Sequence, residues 1–172
     1  MLLRSLFVSV LLGSMVAPVM AQKCDTNEAQ TAPQSRFKAS SEGTVTDTQT
    51  KHAWLRCALG MRWNGTTCEG QTLTYNWNAA NDAIDELNAR KVGGHDNWRL
   101  PTQAELQGIV EQQCFKPAIN LTAFPFTPES GFWTSTNSPG VNARAMIVHF
   151  IHGQEYVANK SQAWRVRPIA AK

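Results

Sequence analysis

The sequence predicts a compact, disulfide-stabilised α+β domain with two helices and an antiparallel β-sheet. Three observations carry this. Two capped stretches with helical spacing lie near the middle of the chain. Beyond Pro125, short alternating apolar runs are separated by Gly, Pro and Asn. All four cysteines, Cys24, Cys57, Cys68 and Cys114, fall after the apolar N-terminal run. Helices grouped ahead of a series of strands argue for α+β rather than a parallel α/β sheet.

The elements follow in chain order. Residues 1–21 read as a signal peptide: Arg4 precedes an apolar run, and Val19-Met20-Ala21 offers a peptidase site. Ser9, Gly13, Ser14 and Pro18 interrupt that run, which is too short for a membrane span, and none is expected after the leader is removed. Residues 22–42 are polar and aperiodic, an extended N-terminal arm held by Cys24, and residues 43–172 form the folded domain. Thr44-Val45-Thr46 and residues 53–57 read as paired strands around the turn Asp47-Thr48-Gln49-Thr50. Asn76 caps a helix whose apolar stripe is Trp77, Ala80, Ala83, Ile84 and Leu87, ended by Gly93-Gly94. Thr102 and Glu105 stand at capping-box spacing after Pro101, with Leu106, Ile109 and Val110 as the buried side of a second helix. Trp98 and Leu100 should pack inward, and Arg99 should bond loop carbonyls or Asp96. Strands are expected at residues 131–136, 143–151, 154–157 and 163–169, with Met146, Val148 and Phe150 on one face of the longest.

Cysteine pairing is argued from position. Four cysteines allow three connectivities. Cys57 and Cys68 flank an Asn64-Gly65 turn signal, and closing so short a loop stabilises by roughly 3 kcal/mol in the chain-entropy model. Cys24 then pairs with Cys114 by elimination. No Cys-x-x-Cys pair favours a metal instead.

Taken in order, several motifs carry a family likeness. They are Gly43-Thr44-Val45-Thr46-Asp47, Trp54-x-Arg56-Cys57, Trp63-x-Gly65-x-x-Cys68-x-Gly70 and Trp77-x-x-Ala80, then Asn97-Trp98-Arg99-Leu100-Pro101-Thr102-x-x-Glu105-Leu106. Cys114-x-x-Pro117-Ala118-Ile119-Asn120, Phe124-Pro125, Phe132-Trp133-Thr134-Ser135-Thr136, Ala145-x-x-Val148-x-Phe150 and Val166-Arg167 complete the series. It resembles the C-terminal domain of the Legionella collagen-like adhesin, Lcl, over about residues 43 to 169. The resemblance implies a C-type-lectin-like fold, akin also to formylglycine-generating enzymes, together with export and adhesion to anionic glycans. Two departures stand out. Lys51-His52-Ala53 replaces a Thr-Gly-Leu-like turn, and no collagen-like repeat precedes the domain.

Composition narrows the function classes. Without the leader, which contributes only Arg4, the 16 Lys/Arg against 13 Asp/Glu leave +2, too little for a nucleic-acid stripe. No catalytic residues are assigned. The histidines His52, His95, His149 and His152 lack a Gly-x-Ser-x-Gly elbow, the thiols are expected to be oxidised, and adjacent His95 and Asp96 do not readily face each other. No metal or cofactor is expected, because the carboxylates are scattered where calcium needs six to eight oxygens.

The remaining class is an anion site. Arg165 and Arg167 are two apart on the last expected strand, and Arg144, Lys160, His149 and His152 come from neighbouring strands or turns. A competing reading makes Arg167 a structural partner, since the family pattern includes it. All five tryptophans in motif positions, Trp54, Trp63, Trp77, Trp98 and Trp133, are expected in the core. The resulting expectation is an exported, non-catalytic adhesin-like module, periplasmic or at the cell surface, that recognises sulfated or acidic glycans. The alternative is a structural or accessory subunit of an envelope assembly that binds a protein partner. Either reading allows a homo-oligomer.

Overall fold

The computed structural model describes residues 21–171, so the leader assigned to residues 1–21 lies outside the described residues except for Ala21. The described residues open with β1 (Lys23–Cys24), β2 (Phe37–Ala39), β3 (Thr44–Asp47), β4 (Ala53–Leu55), β5 (Arg62–Trp63) and β6 (Cys68–Glu69). Next come α1 (Trp77–Ala89), β7 (Trp98–Arg99), α2 (Gln103–Gln107) and β8 (Cys114–Phe115). The last strands are β9 (Gly131–Ser138), β10 (Val141–His149), β11 (Gln154–Asn159) and β12 (Ile169–Ala170).

Two sheets organise these elements. One has the order β2-β3-β4-β12-β7 and the other β11-β10-β9, with the short pairs β1-β8 and β5-β6 beside them. Every pairing is antiparallel. With two helices and two disulfides, Cys24–Cys114 and Cys57–Cys68, the domain is a compact α+β fold.

Helix α1 forms where its caps and its stripe agree. Asn76 accepts from the Ala79 N–H, and Ala80, Ile84 and Leu87 are buried against Trp98, Leu100, Trp133 and Ile147. Burying each large aliphatic chain is worth roughly 1.5–3 kcal/mol, more than local propensity supplies. The helix stops at Ala89, before the expected glycines. Asn88 then ties its end to β7, accepting from the Trp98 N–H and donating to the Trp98 carbonyl. The second core joins Phe37, Val45, Trp54, Phe124, Phe132 and Phe150.

Helix α2 carries the expected capping box, with Thr102 accepting from the Glu105 N–H and Glu105 from the Thr102 N–H. It is only one turn long, because the chain turns off at Gly108, yet Leu106, Ile109 and Val110 are all buried. Arg99 reaches the Leu100 carbonyl and Glu105, not Asp96. Its guanidinium grips both carboxylate oxygens at 2.7 and 2.8 Å, a bidentate geometry that Asp96, next to Lys91, does not offer.

Three further elements differ from expectation. The arm is partly structural: Phe37–Ala39 adds an edge strand, and the buried Glu111 carboxylate accepts from the Thr31 and Ala32 N–H groups. Strand β9 runs past the expected residues 131–136 to Ser138, leaving Pro139-Gly140 as the turn, with Gly140 at φ +72°. The final strand shrinks to β12. Residues 164 and 165 make only isolated bridges to Tyr75 and Phe132, and residues 166–168, where Pro168 has no N–H to offer, lie outside any strand.

Two carboxylates link this framework to pH. Burial would raise the Asp47 pKa, but the Arg36 guanidinium, the Gln49 N–H and the Thr50 hydroxyl override it and hold it at about 2, against an ordinary 3.8. The Arg99 fork, opposed by burial and aided by Thr102, brings Glu105 from 4.5 to about 2. Folding therefore favours both ionised forms. Their stabilisation is complete above about pH 4.5 and is lost as pH falls toward about 2. Thermal melts should show a falling midpoint over that window, flattened in an Asp47→Asn, Glu105→Gln double variant. A midpoint independent of pH across it would contradict the assignment.

Candidate ligand-binding surface

Of the six basic residues singled out from the sequence, three converge. β9 and β10 pair Gly131 with His149, and Arg165 bridges the neighbouring Phe132, so Arg165 and His149 meet at one end of the sheet. Arg165 is half-buried, donating to Thr72 Oγ1 at 2.8 Å and to the Ser130 hydroxyl, which aims the guanidinium rather than neutralising it. His149 is half-buried, its Nδ1 accepting from the Ile151 N–H at 3.3 Å, and His152 is exposed in the following turn. Burial first, then the charges of Arg165 and His152, push the His149 pKa below its ordinary 6.5. Three groups of potential positive charge thus share one small region.

Aromatic rings flank them. His149 meets Trp164 edge-on at 6.3 Å between ring centroids and Tyr156 at 6.2 Å, while Phe115 lies 6.0 Å from His152. Tyr156 is exposed and its hydroxyl donates to Gln154 Oε1 at 2.7 Å. Beside Arg165 a groove of about 350 Å³ runs past Thr72 and Gln71 to Phe126. Phe126 is 63% exposed and held at φ +54°, a left-handed conformation costly for a bulky side chain.

The other three residues lie elsewhere. Arg144 is exposed five residues before His149 on β10, roughly 17 Å along the strand, and bonds Asn159 Oδ1. Lys160 stands over the Trp77 ring at 4.0 Å, near that same end. Arg167 has to be removed from the ligand set: it is fully buried. It donates to the Leu55 and Arg56 carbonyls and to Thr127 Oγ1, and it packs against the Phe124 and Phe132 rings. Two-residue spacing put it beside Arg165, but this stretch threads between the two sheets, so one arginine reaches the rim and the next enters the core.

Spacing alone did not reveal Tyr156, Trp164 or Phe126. The register of Tyr156 against Ile147 puts it on the His149 face, and only the strand pairing shows that. The tryptophans divide: Trp54, Trp98 and Trp133 are buried, whereas Trp63 and Trp77 are half-buried and carry cations on their rings, Arg56 at 4.1 Å and Lys160. Among the described residues no group of three or more His, Cys, Asp or Glu could hold a metal, and all four cysteines are bonded in pairs. No helix among them is long and apolar enough to cross a membrane.

The family model of the Lcl C-terminal domain matches residues 43–170. No curated protein matches the chain. The family suggests an adhesin-like module, and together with the two disulfides it fits an extracellular or periplasmic location. The match extends from the β2–β3 turn to the end of β12 and takes in every motif of the ordered series, so the chain belongs to the Lcl C-terminal domain family.

Proposed function

We propose that this domain is an exported, non-catalytic recognition module that binds sulfated or carboxylated polysaccharide through the Arg165, His149 and His152 face. The observation that carries this reading is the convergence of those three groups beside the Trp164 and Tyr156 rings. A guanidinium pairs bidentately with sulfate or carboxylate, and ring faces and edges offer apolar contact to sugar C–H groups. Oxidised cysteines argue against thiol chemistry. His95 meets the Trp98 ring edge-on at 5.1 Å, and His52 lies 3.9 Å from a Glu105 already gripped by Arg99, contacts that favour structural roles for both.

Immobilised heparin is the test. The protein should be retained at low ionic strength and released as salt shortens the Debye length from about 30 Å at 0.01 M to about 3 Å at 1 M. Flow-through at low ionic strength would reject the glycan reading. One observation favours the second reading, an envelope protein partner: the exposed Phe126 borders an apolar groove formed with Pro117, Leu121, Pro125 and Pro128. A stoichiometric protein partner without heparin retention would support that reading instead.

A further inference from the structure

A second cleft, with about 620 Å³ of space, lies between α1 and the β5–β6 hairpin closed by Cys57–Cys68. That size is in the range of small-molecule sites, about 300–1,000 Å³. Its floor is the open edge of the α1 core, where Leu55, Leu59 and Leu87 come to the cleft.

The rim is charged with both signs. Glu86 lies in the last turn of α1 and Arg90 is its C-cap, with Nε donating to the Glu86 carbonyl at 3.3 Å, while Arg62 stands on the hairpin and Glu42 on the turn before β3. All four are exposed. Among the described residues Glu86 and Arg90 form no ion pair, and Arg62 reaches only Glu69, at 3.9 Å. Tyr75 also lines the cleft, and its hydroxyl has no protein partner among the described residues. Burial and the nearby Glu86 charge raise its pKa, so the phenol stays protonated and able to donate.

One wall is fixed in advance. The Trp63 ring sits against Gly43, its Nε1–H donates to the Ser41 carbonyl at 3.0 Å, and the Arg56 guanidinium covers it at 4.1 Å. A side chain at position 43 would collide with Trp63, since a Cβ there falls 2.6 Å from the Trp63 Cβ. Preorganisation of this kind lowers the ordering cost of binding.

Charge decides the class of occupant. An acidic polysaccharide would meet Glu42 and Glu86, a polycation would meet Arg62 and Arg90, and a neutral sugar would leave all four unanswered. We infer that the cleft binds a short peptide with free amino and carboxyl ends and apolar side chains. Its ammonium pairs with Glu86 or Glu42, its carboxylate with Arg90 or Arg62, and its side chains lie on the leucine floor. The site shares none of its charged lining with the Arg165 face, so it stands or falls independently of glycan binding.

The test is an NMR titration of the full mature chain with the dipeptide Leu-Leu, alongside its N-acetylated, C-amidated form. Free Leu-Leu should shift the Trp63 indole N–H and the Leu59 amide saturably, and the blocked form should bind at least about tenfold more weakly, as loss of charge-assisted contacts requires. Glu86→Gln, at an exposed position, should weaken binding by about fivefold with an unchanged melting temperature. Equal binding of the free and blocked dipeptides, or no shift at the cleft at millimolar Leu-Leu, would overturn the inference, and neither outcome depends on a variant folding.

Discussion

Replacing Arg167 with alanine is expected to destabilise the domain by about 4 kcal/mol, although the residue looks like a surface cation in the sequence. Its guanidinium is fully enclosed. It donates to the Leu55 carbonyl at 2.9 Å, to the Arg56 carbonyl, and to Thr127 Oγ1 at 2.7 Å, while the Phe124 ring lies 4.9 Å away and the Phe132 ring 5.7 Å. No carboxylate pairs with it among the described residues. Burial lowers its pKa to about 9, which still leaves it protonated at neutral pH. Truncation strands two buried carbonyls, each costing roughly 1–3 kcal/mol, and opens a cavity between the two rings. Lysine keeps the charge, but its single ammonium cannot span all three acceptors, so Arg167→Lys should lose about half as much. Denaturant unfolding measures both. An alanine variant within about 1 kcal/mol of the parent would show that these hydrogen bonds do not hold the sheets together.

The second large effect is expected on binding rather than stability. Arg165→Glu should weaken heparin binding by at least about tenfold, because it removes the fork and places a like charge against the polyanion. Arg165→Gln, which preserves a donor for Thr72 and Ser130, should show a smaller loss with the fold intact. His149→Gln and His152→Gln should each have a modest effect at neutral pH. With its pKa depressed, His149 contributes charge only as the solution becomes acidic, so retention of the parent should strengthen as pH falls below the ordinary histidine range, and less so in His149→Gln. Arg144→Gln, at the far end of β10, should leave binding within about twofold. A larger loss from Arg144 than from Arg165 would relocate the site to the Arg144–Lys160 end.

Local signals in the sequence translated well, and long-range ones less so. Thr102 and Glu105 are three residues apart, and their capping box needs nothing beyond that spacing. Cys57 and Cys68 bracket a turn, and the paired Cys24 and Cys114 follow once the local bridge is removed. Arg99 could be matched to Glu105 only once α2 was known to turn that carboxylate back toward β7. Arg167 defeated period-two reasoning for a different reason. Alternation holds only within a regular strand, and residues 166–168 lie outside one, so Arg165 and Arg167 do not share a side. Lys160 was legible as a cation but not as the partner of Trp77, more than eighty residues earlier in the chain. Phe126 carried no signal, because its exposure and its φ of +54° arise from how the Pro125–Pro128 loop crosses the groove.

If the face around Arg165 binds anionic glycan as proposed, chemical-shift mapping with a heparin-derived oligosaccharide will locate it there. Perturbations should be concentrated at His149, His152, Tyr156, Trp164 and Arg165. Shifts gathered around Arg144 and Lys160 instead, or none at saturating oligosaccharide, would contradict it.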